Sequence, residues 1–149
     1  MQKKIVMAIL SISLMLMSVS IFASAGWGTN WKEAQKMSAK ENKPILIDFS
    51  GSDWCSWCIK LDKDVFSKVS FKKFAKKNLI LFLADFPSNK KQNDAVKKQN
   101  TELAKKYGVQ GYPTVLLVDS KGKVLLKTGY KSGGVRKYIK HLKDAMPKK

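Results

Sequence analysis

The chain has 149 residues, with 29 basic against 11 acidic side chains for a formal charge of +18, one histidine and two cysteines. That length suits one domain with a real core. The cysteine and histidine count excludes a multi-bridge disulfide scaffold, and it excludes a four-ligand structural zinc unless two chains share the metal. The positive charge raises nucleic acid as a partner. However, Arg136 is the sole arginine, and base and phosphate readout lean on arginine's bidentate fork. No aromatic–basic cluster of a nucleic-acid motif is present either. The lysines read mainly as a solvated surface, with a weak preference for anionic surfaces or acidic clients.

In chain order, residues 1–25 read as a secretory signal: Lys3 and Lys4 form the positive end, Ile5 to Phe22 the apolar core, and Ala23-Ser24-Ala25 a small-residue cleavage site before Gly26. An uncleaved membrane anchor is the less favoured reading, because serines interrupt the apolar stretch, and no cysteine follows the site to carry a lipid. The expected organisation is a signal peptide over 1–25 and a single domain over 26–149, exported to a periplasm or an equivalent extracytoplasmic space.

Within the domain, residues 26–29 suggest a short edge strand. Asn30 suggests an N-cap, and Trp31, Ala34, Gln35 and Ser38 fall at helical spacing before Asn42-Lys43-Pro44 breaks the pattern. Ile45 to Phe49 is a nearly continuous apolar run, as in a strand covered on both faces. A helix from the cysteines to about Phe66 follows, then a second segment that buries Phe71, Phe74 and Ala75. Leu79 to Ala84 is the next strand, 86–93 a polar loop, and Asp94 to Tyr107 a helix ended by Gly108. Thr114–Val118 and Lys123–Thr128 form a hairpin around 119–122. A closing helix places Val135, Tyr138, Ile139 and Leu142 on one face. Alternation of strand and helix followed by a hairpin and a helix gives an α/β fold, a mixed central sheet flanked by helices on both faces.

The chemistry concentrates in Asp48-Phe49-Ser50-Gly51-Ser52-Asp53-Trp54-Cys55-Ser56-Trp57-Cys58, which holds both cysteines at a strand-to-helix junction. At that position the first sulfur meets the unpaired N–H groups and positive dipole end of a helix, which favour thiolate over thiol. The second lies one turn along, within reach of a disulfide. This is an arrangement for thiol–disulfide exchange: Cys55 attacks, a mixed disulfide forms, and Cys58 resolves it. A structural staple is the bland alternative. It is disfavoured because a bridge enclosing two residues removes little entropy from the unfolded chain.

Trp54-Cys55-x-x-Cys58, with Asp48 in the preceding strand and Gly111-Tyr112-Pro113-Thr114 downstream, resembles the thioredoxin-fold family over about residues 43–146, and within it the secreted bacterial thioredoxin-like branch. The resemblance implies a three-layer thioredoxin-like sandwich and a cis bond before Pro113, on a loop facing the sulfurs. It also implies a buried acid at Asp48, here one residue further from the first cysteine than the family places it. The lysine usually found near that acid is replaced, apparently at Leu81. An acid inside Ile-Leu-Ile-Asp-Phe is costly to bury unless it serves something. Raised in pKa, it would take the proton of Cys58 during resolution, although an ordinary strand-end carboxylate is the alternative.

The catalytic set is therefore Cys55, Cys58 and Asp48. The client-binding set is Trp54, half core and half platform, an exposed Trp57, and Tyr112 and Pro113, beside which an extended segment could add as a strand. Asp53 would oppose the Cys55 thiolate and Lys60 assist it. No cofactor is expected beyond the redox disulfide Cys55–Cys58, and no metal. Ser56-Trp57 matches neither a reductase-like Gly-Pro nor a histidine-containing oxidant pair. Without a histidine to stabilise the thiolate, the leaning is towards a reductase. The expected partners are cysteine-containing client proteins and a membrane or periplasmic electron donor, acting on a monomer. A non-catalytic client-binding or chaperone-like module on the same scaffold is the alternative.

Overall fold

The computed structural model describes residues 26–148. The signal reading over 1–25 lies outside the described residues. Among them, the elements are β1 (Trp27–Gly28), α1 (Trp31–Glu41), β2 (Ile45–Ser50), α2 (Ser56–Leu61) running on into a π-helical turn (Asp62–Phe66), and α3 (Val69–Asn78). They continue with β3 (Ile80–Asp85), α4 (Asp94–Lys106), β4 (Thr114–Val118), β5 (Val124–Thr128) and α5 (Gly134–Ala145). The strands form one mixed sheet in the order β1-β3-β2-β4-β5. β3 is parallel to β1 and β2, whereas β4 is antiparallel to β2 and β5.

Both faces of the sheet are covered, and the alternation along β2 shows how. Ile45, Ile47 and Phe49 pack with Phe82, Leu116 and Val118 against Trp31 of α1 and Leu103 of α4. Leu46 packs with Leu81, Val115 and Leu117 against Leu61, Val65, Phe71, Phe74, Tyr138 and Leu142 from the other helices. Every residue of β2 is buried, and each large apolar side chain so removed from water contributes about 1.5–3 kcal/mol before chain entropy is counted. The continuous apolar run is thus explained by two helical layers, one on each side.

The capping signals read from the sequence are in place. Asn30 accepts from the Glu33 amide at 3.1 Å, and Asn42 ends α1 in the left-handed region. The motif helix departs from the expected pattern in its final turn, which is π-helical. Ser67 closes it through a backbone bond to the Asp62 carbonyl at 2.8 Å and a hydroxyl bond to the Asp62 carboxylate at 2.7 Å.

A polar network that sequence reasoning missed fixes the C-terminal end of β3. Asn100 of α4, fully buried, donates to the Asp85 carbonyl at 3.0 Å and accepts from Gln99 at 3.1 Å. Gln99 in turn accepts from the Trp31 amide at 2.8 Å and donates to the Thr29 carbonyl at 2.9 Å. The signal was an asparagine at a core position of the Val96, Asn100, Leu103 stripe. A buried amide at such a position must find partners.

Candidate active site

The site forms where β2 ends and α2 begins. Gly51 turns the chain, and its carbonyl accepts from the amides of Trp54 at 3.2 Å and Cys55 at 2.9 Å. Cys55 is the N-cap of α2, with the Cys58 amide directed at its sulfur at 3.2 Å, and the two cysteines are joined in a disulfide with Cα atoms 5.2 Å apart. The same amide would stabilise a Cys55 thiolate after reduction. Cys55 retains 7 % exposure and Cys58 only 4 %. Both are nearly buried, with Cys55 at the N-cap of α2 and Cys58 one turn inside it.

Aromatic side chains on and beside the cysteine loop pack against one another. Trp54 is 51 % exposed, and its indole N–H donates to the Phe86 carbonyl at 2.8 Å. Its ring stands edge-on to Tyr112 at 5.8 Å, and Tyr112 meets Phe86 at 5.1 Å. The expected half-core role of Trp54 is thus met by a hydrogen bond to the 86–93 loop rather than by burial. Gly51 is required beneath this indole, because a Cβ there would collide with its Cε2, Nε1 and Cζ2 atoms. On the other side Trp57 is 55 % exposed and rests on Tyr130 at 5.1 Å.

The Tyr112–Pro113 peptide is cis. The Trp54–Tyr112 contact brings this loop beside the cysteine loop. Gly129, at the end of β5, passes so close to the Pro113 carbonyl that a Cβ would lie 2.9 Å from it. Thr114 anchors the other side through its hydroxyl to the Gly111 carbonyl at 2.7 Å.

The charged neighbours act differently from the sequence reading. Asp53 receives the amides of Ser88, Asn89 and Lys90 at 2.9, 2.7 and 3.0 Å, bonds that hold its carboxyl below the ordinary carboxylate range. It latches the 86–93 loop to the cysteine loop. Lys60 pairs with Asp64 at 2.9 Å and lies 5.5 Å from the Tyr130 ring centroid, while the Tyr130 hydroxyl donates to the same carboxylate at 3.0 Å. Its charge is therefore directed at Asp64, which orders the Trp57–Tyr130 shelf. Asp85 accepts from both the amide and the hydroxyl of Ser52, at 2.9 and 2.6 Å, and ties the loop to β3. These contacts of Asp53, Tyr130 and Asp85 were not legible in the sequence, since their partners are more than 30 residues away.

Asp48 lies in β2, two residues beyond Leu46 and so on the sheet face covered by α2 and the π turn. It is buried, and its Oδ1 has no hydrogen-bond partner. Burial first, then the negative charges of Asp62 and Asp85, push its pKa up to about 8. Its partner across β3 is Leu83, with Leu46 opposite Leu81. The register thus moves the expected neighbour by two residues, and leucine occupies either position.

A sheet of this order, a disulfide at a helix N-cap and a cis-proline loop beside it define a thioredoxin-fold redox protein. A family model described as a thioredoxin-like domain matches residues 31–145, and the chain belongs to that family. It is 36% identical over 117 residues to the disulfide bond reductase DsbH of Chlamydia pneumoniae, covering 78% of this chain and 70% of that protein. A solved structure titled DsbH oxidoreductase superposes with a TM-score of 0.76 at 36% identity, covering 80% of this chain and 82% of that one. The thiol:disulfide interchange protein DsbD of Photorhabdus laumondii is 33% identical over 95 residues, which is 63% of this chain but only 15% of that much longer protein.

Proposed function

We propose that the protein is an exported thiol–disulfide oxidoreductase that reduces disulfides in client proteins. The observation that carries this reading is the Cys55–Cys58 disulfide at the N-cap of α2, flanked in the chain by the half-exposed Trp54 and Trp57. In the reduced form the Cys55 thiolate attacks a client disulfide and expels one client sulfur as thiolate. Cys58 then loses its proton and attacks the Cys55 sulfur, the mixed disulfide breaks, and the second client thiolate leaves with two electrons gained by the client. An external dithiol donor must restore the pair.

Asp48 is the group we assign to take the Cys58 proton, a reading supported by its burial on the sheet face that α2 covers. Burial pushes its pKa up to about 8, so at neutral pH a minor carboxylate fraction serves as the base, and that fraction grows as pH approaches 8. Trp54, Trp57 and Tyr112 offer apolar contact to the client, and the backbone at Tyr112–Pro113 offers pairing to an extended segment. The reductase direction is supported by the absence of histidine between the cysteines and by the name of the DsbH relative. Export rests on the leader-like composition of residues 1–25. Among the described residues no helix is long and apolar enough to cross a membrane.

The reduction potential of the pair, measured by equilibration with glutathione, tests the direction. A value near that of thioredoxin, about −270 mV, is expected; one near the strong oxidants, about −120 mV, would reverse it.

A further inference from the structure

The lysines are not spread evenly over the fold. α3 carries Lys72, Lys73, Lys76 and Lys77, all exposed, and no acid. α5 carries Arg136, Lys137, Lys140 and Lys143, also exposed, against a single acid, Asp144, which Lys140 holds at 2.7 Å. These helices lie side by side: Phe74 and Leu142 share one core cluster, and the Lys143 ammonium is 5.5 Å from the Phe74 ring centroid. On the opposite face, the lysines of α1 and α4 are interspersed with Glu33, Glu41, Asp94 and Glu102. The α3 and α5 pair thus carries a larger net positive charge than the α1 and α4 pair.

We propose that the α3–α5 face docks the protein on an anionic lipid bilayer. The chemistry of the face favours a membrane over the other polyanions. Its cations are lysines with one arginine, point charges suited to a diffuse negative surface rather than to bidentate recognition. Spacings of one and four residues set the α3 lysines along one side of that helix. Val69, 67 % exposed at the start of α3 between Lys68 and Lys72, adds an apolar side chain that a headgroup region can receive. Cys55 starts α2 at the C-terminal end of β2, where Trp54 and Trp57 stay exposed, so contact through the flat of α3 and α5 leaves that end open to a client. Docking of this kind would hold the exchange site beside the membrane surface. It does not depend on the redox direction.

The test is co-sedimentation of the chain from Gly26 onward, which contains every element of the described fold, with vesicles of phosphatidylcholine alone or mixed with phosphatidylglycerol. Binding is expected only to the mixed vesicles, and it should disappear at about 1 M salt, where screening acts within about 3 Å. Reversing four charges together on the face, with Lys72→Glu, Lys76→Glu, Lys137→Glu and Lys143→Glu, should weaken binding at least about tenfold. The matched set Lys32→Glu, Lys36→Glu, Lys97→Glu and Lys105→Glu on the opposite face should weaken it far less. Circular dichroism and reduction of soluble insulin should be unchanged in both sets, which separates docking from folding and from exchange. Equal loss in the two sets would overturn the proposal in favour of net charge alone. Equal binding to phosphatidylcholine, or release from the vesicles by polyglutamate at matched charge, would also overturn it, the latter in favour of an acidic protein partner.

Discussion

Cys58→Ser is expected to convert the protein from a turnover catalyst into a trap. With Cys55 intact the attack on a client disulfide still occurs, but no second sulfur stands one turn away to release the client. Intramolecular attack by a held group benefits from effective molarities far above any free thiol concentration, so release should slow by about a thousandfold or more. Cys58 is nearly buried, at 4 % exposure, and it is its backbone amide, not its side chain, that is bonded to the Cys55 sulfur. Serine should therefore leave the cap and the fold in place. Non-reducing electrophoresis of alkylated extracts should show covalent complexes that collapse with dithiothreitol. Their absence, with the variant folded, would contradict the assignment of Cys58 as the resolving thiol.

Asp48→Asn is expected to move stability and rate in opposite directions. In the folded chain the carboxyl keeps its proton up to about pH 8, whereas its ordinary pKa is 3.8. Between those values the unfolded chain binds fewer protons than the folded one, so this group makes stability fall as pH rises from about 4 to about 8. Each tenfold in proton affinity is worth about 1.4 kcal/mol, which makes the burden at neutral pH several kcal/mol in order of magnitude. Asparagine has the shape of the protonated acid and cannot ionise. Denaturation of Asp48→Asn should show higher stability at pH 7 and a flatter profile between pH 4 and 8. Release of a mixed disulfide should meanwhile slow by about a hundredfold, because general-base assistance is lost. The rise of that step with pH through about 8 should give way to the later rise of the thiol's own ionisation. A variant with unchanged release kinetics would reduce Asp48 to a structural carboxyl.

The sequence made the sheet and the reacting atoms legible because both are written locally. Ile45 to Phe49 announces a doubly covered strand by an apolar run that only Asp48 interrupts, and Thr114 to Val118 does the same with its four apolar residues. The cysteine spacing and the proline loop are short motifs whose chemistry follows from their order. Much of what supports them was hidden, because several of the supporting contacts join segments far apart in the chain. Nothing near Asp53 reveals that its carboxylate holds three amides of the 86–93 loop, so its charge was read as a repulsion on Cys55 rather than as a latch. Lys60 was read towards the thiolate although Asp64 stands four residues on along the same helix, an i,i+4 signal that was overlooked; only the Tyr130 contact is long-range. Gly51 looks like an ordinary turn glycine until the Trp54 indole is found lying where a side chain would be.

The central claim is that electrons pass between a client disulfide and the Cys55–Cys58 pair through attack by Cys55. It is tested most directly by the rate of insulin reduction at neutral pH in the presence of a dithiol donor, comparing the native chain with Cys55→Ser. The native protein should accelerate precipitation of the insulin B chain well above the donor alone, and the variant should fall to the donor's own rate. Native-like turnover by Cys55→Ser would contradict the account.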